Sequence, residues 1–226
     1  MQAGYEERRR DSVERRALGR ELRRRFFAFG RTCFRWKIKR GVYLFIRLLQ
    51  PGDRAVFRQL RQRAIEEHPE SFSSSSEELS DAPELLIASD HVSRFVVGAF
   101  AENGDLIGIV GFKQESLMKF RHKGVIWGMY VDKSWQGKGI AKRLLARLIE
   151  CVETTTEVEQ LNLAVAESNE GAKRLYESFG FVTYGLEINA MKLKDRTFVN
   201  GEYMTKQLAR SRVAAGDGMQ KPLFTS

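Results

Sequence analysis

The chain has 226 residues, enough for one domain with its own core plus appendages. Its hydrophobic content of 42% is ordinary for a globular protein, and its formal charge of +9 is confined to one end: residues 1–45 hold 14 Lys and Arg against 5 Asp and Glu, whereas residues 46–226 hold 24 of each sign. A uniformly basic nucleic-acid-binding body is therefore excluded, as is a disulfide scaffold, because the only cysteines are Cys33 and Cys151 and they have no Cys-x-x-Cys spacing.

Residues 1–41 read as a basic arm, disordered or helical, in which "EERRRDSVERRALGRELRRR" precedes "FFAFGRTCFRWKIKR". Aromatics interleaved with Arg and Lys suit bases or an anionic membrane surface; a solvated extension is the plainer reading. The first 25 residues are charged throughout, and the nearby apolar run, Val42 to Ile46, is far too short to span a bilayer. With reduced cysteines, this points to the cytoplasm.

The body, residues 42–208, starts with a strand over Val42–Leu48, a Pro51-Gly52 turn and Asp53 as N-cap of a helix to about Glu67. That helix is expected to bury Val56, Leu60, Ala64 and Ile65. "HPESFSSSSEELSD" is a polar loop or broken helix, and "RFVVGAFAENGDLIGIVGFKQES" is two strands around an Asn103-Gly104 turn. "HKGVIWGMYVD" is a strand covered on both faces. Next comes "KSWQGKG", then a helix over about 138–153 with Ile140, Leu144, Leu145, Leu148 and Val152 inward, and Cys151 as a small core residue. "LNLAV" alternates as a strand; "NEGAKRLYESFGF" is a short helix stopped by Gly180. "FVTYGLEINAMKL" and "GEYMTKQL" form a closing hairpin, expected to turn at Asn200-Gly201, and residues 209–226 are a tail with little to bury. The pattern predicts a mixed, mostly antiparallel sheet of six to seven strands with helices on its faces, an α/β (α+β) fold.

Gly137 and Gly139 stand at the mouth of the long helix, where glycine costs about 1 kcal/mol relative to alanine. The first N–H groups of a helix lack intrahelical partners and, with the dipole, attract anions. Glycines let a phosphate approach those groups, and Lys138 and Lys142 add charge. A Walker loop would need glycine at Asp132 and Ser or Thr at Gly139; a dinucleotide fingerprint would need a small residue at Lys142. The pattern present is Gln-x-x-Gly-x-Ala, at Gln136, Gly139 and Ala141.

Here the chain resembles the GNAT superfamily of N-acetyltransferases, whose Gln/Arg-x-x-Gly-x-Gly/Ala loop follows a central strand. "SNEGAKRLYESFGF" is similar to the second family signature, matched at Asn169, Ala172, Tyr176, Gly180 and Phe181. The likeness covers roughly residues 43–208. It implies acetyl-CoA as cosubstrate, with its pyrophosphate on Gln136, Gly137, Lys138, Gly139, Ile140 and Ala141. The pantetheine arm would lie between the splayed strands at Val125–Val131 and Leu161–Val165, on backbone groups of Met129, Tyr130 and Val131, with Asn169 assisting. Gly128 suits a bulge. The resemblance makes Tyr176 the general acid.

No carboxylate stands on "GVIWGMYV", so the base is open among His122, Glu167, Glu115 and water. No metal is implied. The acceptor is a small-molecule amine or a protein amino group; a homodimer, and nucleic acid or anionic membrane through the arm, are further partners left open. The alternative to an enzyme is a non-catalytic acyl-CoA-binding module.

Overall fold

The structure, a computed structural model, describes residues 34–37, 43–73 and 92–208. Eleven elements matter. They are β1 (Phe34–Lys37), β2 (Tyr43–Leu48), α1 (Arg54–Glu67), β3 (Arg94–Phe100), β4 (Leu106–Gln114), β5 (Lys123–Val131), α2 (Ile140–Thr155), β6 (Gln160–Ala166), α3 (Glu170–Glu177), β7 (Val182–Lys192) and β8 (Phe198–Gln207). They form one sheet in the order β1-β2-β3-β4-β5-β6-β8-β7. Every neighbouring pair is antiparallel except β5 and β6.

The sheet has eight strands rather than six to seven. The extra one, β1, comes from the segment read as an arm, and pairs Phe34 with Ile46 and Lys37 with Tyr43. The rest of the arm and the tail lie outside the described residues, as does most of the polar loop.

Two apolar layers hold the sheet between helices. On one face α2 seats Ile140, Leu144, Leu145, Leu148 and Val152 against Leu44, Ile46, Phe95, Val97, Val110 and Phe112. Each such side chain, fully buried, contributes about 1.5–3 kcal/mol. Cys151 is buried in this layer, and burial pushes its thiol pKa up, as expected of a core residue. On the other face α1 packs Phe57, Leu60, Ala64 and Ile65 against Val96, Phe100, Ile109 and Tyr130. The central strands are apolar on both sides because both sides are covered.

Three local expectations are corrected. Val56 is 38% exposed; the inner stripe runs through Phe57, Leu60, Arg61, Ala64 and Ile65, one position on. Asp53 does occupy the N-cap position, but its carboxylate makes no cap hydrogen bond to α1. It accepts from both Arg47 nitrogens, at 2.6 and 2.8 Å, and from the Gln50 N–H at 2.7 Å. The last hairpin turns over Leu193–Thr197, where Asp195 accepts from the Thr197 N–H, and Asn200-Gly201 lies inside β8. The Asn200 side chain there accepts from the Asn189 N–H at 2.9 Å and donates to Glu167 at 2.8 Å, so that asparagine serves the sheet. The Asn103-Gly104 turn stands as expected, with Gly104 at φ 92°.

Candidate active site

β5 and β6 pair only at Lys123–Gln160, Gly124–Leu161 and Val125–Asn162. Beyond Val125 they diverge, while β6 stays paired with β8 as far as Ala166. The edge of β5 that faces β6 therefore carries no ladder from Ile126 to Val131, leaving backbone groups that need partners. On its other edge β5 has one extra residue against β4: Gly111 opposes Trp127, but Ile109 opposes Tyr130. Gly128 sits in this bulge at φ +65°, a conformation that L side chains disfavour. The inserted residue turns Tyr130 onto the α1 face, while Met129 packs on the α2 face.

β5 runs into the glycine turn. Asp132 organises it, accepting from the Ser134 N–H and hydroxyl and from Arg63 of α1. The Ser134 hydrogen bonds, with the Arg63 guanidinium, hold its carboxyl below the usual range against the opposing pull of burial. The Gln136 amide donates to the Val131 carbonyl at 3.0 Å, tying the turn to the strand end. Gly137 and Gly139 both adopt φ +72°. From Gly137 to Lys142 no main-chain N–H donates to another backbone group among the described residues. Six successive donors with bare glycines among them fit an anion, and a Cβ on Gly137 would touch nothing within 4 Å.

Lys138 donates to the Ser134 carbonyl at 2.6 Å and lies 4.6 Å from the Trp135 ring centre. The Arg143 guanidinium crosses back to the carbonyls of Lys138 and Gly139, each at 3.0 Å. Beside this turn a groove of about 650 Å³ runs along α2, walled by Lys138, Gly139, Lys142, Arg143 and Phe179 among others.

The structure brings Met129, Tyr130, Val131, Gln136, Gly137, Lys138, Gly139, Ile140 and Ala141 into one strand-to-helix passage. Asn169 caps α3, accepting from the Ala172 N–H at 3.1 Å, and its amide faces the Ser71 hydroxyl at 3.5 Å. Tyr176 is 6% exposed, edge-on to Phe181 with ring centres 5.8 Å apart. Its hydroxyl has no hydrogen-bond partner among the described residues, and burial pushes its pKa up to about 12.

Of the residues that the sequence offers as a base, His122 and Glu115 stand at the joined end of β5: the His122 carbonyl accepts from Glu159 and Gln160, and the Glu115 N–H donates to Lys123. That end is about 20 Å from the bulge at 3.3 Å per residue. Glu167, beyond β6, accepts from Asn200. The carboxylate set against β5 is instead Glu67, at the end of α1, which accepts from the Tyr130 hydroxyl at 2.8 Å. Burial, reinforced by this bond, raises the Tyr130 pKa. Glu67 thus meets β5, and Ser71, four residues on, meets Asn169 after β6, so the end of α1 bridges the diverging strands. Glu67 carried no local sign, being one acidic residue in a charged helix end.

Arg61 was also missed, although its sign was legible: it stands on the apolar stripe of α1. It is 5% exposed, and its Nε and Nη1 have no hydrogen-bond partner among the described residues. A buried, unpaired guanidinium costs on the order of several kcal/mol. Phe72 and Trp127, with ring centres 4.5 and 5.7 Å from Cζ, offset part of that.

The profile of the Acetyltransferase (GNAT) family matches residues 57–181. The chain belongs to this family. It is 30% identical over 166 residues to the spermidine N(1)-acetyltransferase of Vibrio cholerae serotype O1, covering 71% of this chain and 87% of that one. A GNAT-family acetyltransferase from Streptococcus pneumoniae superposes with a TM-score of 0.62 at 25% identity, covering 73% of this chain and 99% of that chain. The yncA structure from Salmonella typhimurium, solved with its cofactor acetyl-CoA, gives a TM-score of 0.64 at 21% identity, covering 77% and 98%. This GNAT protein is an acetyl-CoA-dependent N-acetyltransferase with a mixed sheet between helical layers. No helix among its described residues is long and apolar enough to cross a membrane.

Proposed function

We propose that this enzyme moves an acetyl group from acetyl-CoA to a primary amine by direct attack, with donor and acceptor bound together. One observation carries the reading: six N–H donors at the glycine turn, without a backbone acceptor among the described residues, continue from a strand whose edge is unladdered where it leaves its neighbour. An anion seat and a slot for an extended chain thus lie in series.

Acetyl-CoA, when bound, supplies the acetyl group as a thioester. Gly137–Ala141 would hold its diphosphate through backbone N–H groups, and the cationic groove along α2 suits its remaining phosphate. Met129, Tyr130 and Val131 lie on the unladdered edge of β5 and suit the pantetheine amides. Gln136 and Asn169 act from behind, fixing the turn and the head of α3.

Acyl transfer needs a neutral amine and a protonated leaving thiol. Glu67 takes the proton that the amine sheds, directly or through the Tyr130 hydroxyl it holds. Tyr176, on the α2 side, gives its proton to the departing sulfur; its high pKa keeps it protonated at working pH. The new bond is C–N and the broken one C–S, so one proton enters the protein at Glu67 and one leaves at Tyr176. The spermidine named for the Vibrio cholerae relative is a cation, and Glu67 and Glu70 at the roof would attract such amines.

The test is an amine panel with acetyl-CoA and detection of free thiol. Turnover that depends on both Glu67 and Tyr176 supports the reading; full turnover in Tyr176→Phe removes Tyr176 from it.

A further inference from the structure

The loop between β4 and β5 leaves three large apolar side chains in water: Leu117 is 67% exposed, Met118 88% and Phe120 47%. Single exposed apolar residues are ordinary, but three within four positions at one tip mark a contact surface. The tip is also held in shape. The Phe120 N–H donates to the Leu117 carbonyl at 2.8 Å, the Glu115 N–H to the Lys123 carbonyl at 3.0 Å, and the Gln114 amide to the Arg121 carbonyl at 2.6 Å. A partner therefore meets a formed apolar projection and does not have to order it.

Cations surround that projection. Lys119 and Arg121 are interleaved with the apolar residues and exposed, as is Lys113 near the end of β4. Lys123 stands with its ammonium 5.5 Å from the centre of the Phe120 ring. Glu115 and Glu159, whose N–H groups bond to Lys123 and His122, offset only part of this charge.

The same end of the sheet receives both terminal segments. Arg94 pairs with Lys113, Leu48 with Val97, and Phe34 with Ile46, so residues 1–33 join β1 at the end where β4 passes into the loop. Residues 209–226 follow Leu208, whose N–H donates to the Glu159 carbonyl beside the start of β6. Residues 1–33 hold 10 Lys and Arg against 5 Asp and Glu, and residues 209–226 hold 3 against 1. Positive charge thus converges on the end that carries the apolar tip.

We propose that this end of the sheet docks on an anionic lipid bilayer. Leu117, Met118 and Phe120 enter the boundary between headgroups and acyl chains, and the surrounding cations meet the headgroups. Nucleic acid suits the patch less well, because Leu117 and Met118 gain nothing against phosphates and Lys123 covers the Phe120 ring. A second copy related by a two-fold axis would set Lys119 and Arg121 close to their own equivalents. Docking here leaves the glycine turn free, since that turn lies at the far end of the nine-residue β5, about 26 Å away.

The test is sedimentation of the full chain with phosphatidylcholine vesicles that contain or lack phosphatidylserine. The wild type is expected to bind the anionic vesicles at least about tenfold more tightly than the neutral ones, and less tightly as salt rises. Leu117→Gln with Met118→Gln removes the apolar projection and keeps every charge, terminal segments included. It should weaken binding at least about tenfold, with circular dichroism and Tm unchanged. Lys119→Gln with Arg121→Gln should reduce the preference for anionic lipid. Should the first pair fail to fold, Met118→Gln alone, at the most exposed of the three positions, decides. Absence of wild-type binding to anionic vesicles overturns the proposal. Binding that the loss of Leu117 and Met118 leaves intact overturns it too, because the terminal segments would then suffice. Duplex DNA binding that exceeds vesicle binding and is lost with Lys119 and Arg121 assigns the patch to nucleic acid, and a dimer lost with Leu117 and Met118 assigns it to a second copy; either result overturns the proposal.

Discussion

Gly139 heads α2 in a left-handed conformation, at φ +72° and ψ 20°. An L residue there costs about 1–2 kcal/mol, and its Cβ would come within 2.8 Å of Arg143 Nη1, the movable end of a long side chain. Gly139→Glu should therefore fold, yet put a carboxylate where phosphate oxygens belong. Calorimetry is expected to show coenzyme A affinity reduced at least about tenfold, with circular dichroism unchanged. Tyr176 presents the opposite case, a hydroxyl whose removal disturbs no hydrogen bond among the described residues. Tyr176→Phe should leave stability at pH 7 within about 0.5 kcal/mol and lower kcat by roughly a hundredfold. The sign of its pH dependence follows from a folded pKa of about 12 against 10 unfolded. Its contribution is fully present below pH 10 and is lost as pH rises toward 12, by about 2–3 kcal/mol. Urea unfolding at pH 9 and pH 11.5 should show this extra loss in the wild type and not in the Phe variant.

At the scale of elements, α1 is both a layer of the core and a roof. Phe57, Leu60, Ala64 and Ile65 anchor it, which lets Glu67 at its end hold the Tyr130 hydroxyl and Arg63 reach Asp132 at the glycine turn. Glu67→Gln keeps a hydrogen-bond acceptor for Tyr130 but not a base. It should lower kcat by roughly a hundredfold with little change in the acetyl-CoA KM, and the acid limb of the pH–rate profile should change with it. Asp132→Asn acts on the other partner. Weakened bonds to Arg63 and Ser134 should loosen the anion seat and raise the acetyl-CoA KM by about three- to tenfold, with a smaller effect on kcat. The anchoring of α1 itself begins at the Arg47–Asp53 pair, one residue before the helix. There, burial pushes the Asp53 carboxyl upward, but Arg47 and the Gln50 N–H outweigh it and hold the pKa below its usual value.

For the whole molecule, both apolar layers among the described residues are built from Leu44 to Leu208, and the charge excess lies before residue 46. Removing residues 1–33 should therefore leave turnover within about twofold and Tm within about 2 °C, while removal through Gly41 takes β1 from the sheet edge and lowers Tm by several degrees. Scanning calorimetry on the two truncations separates these outcomes. Much of this architecture was legible because its signals are local. The passage from β5 through Gly137 and Gly139 to α2, the Asn169-to-Phe181 run and the Asn103-Gly104 turn each depend on neighbours a few residues away. The last hairpin misled, because Asn200-Gly201 carries a turn signal that the pairing of β8 with β6 and β7 overrides. By itself, then, the sequence determined the family, the acetyl donor's chemistry and the order of the central elements. Only the tertiary structure decided which carboxylate faces β5, that Arg61 is buried without a counter-ion among the described residues, and that β1 extends the sheet. Those facts arise where α1 meets β5 and where β1 meets β2, and contact across an interface is set by how two layers dock, a quantity that periodicity along one segment does not contain.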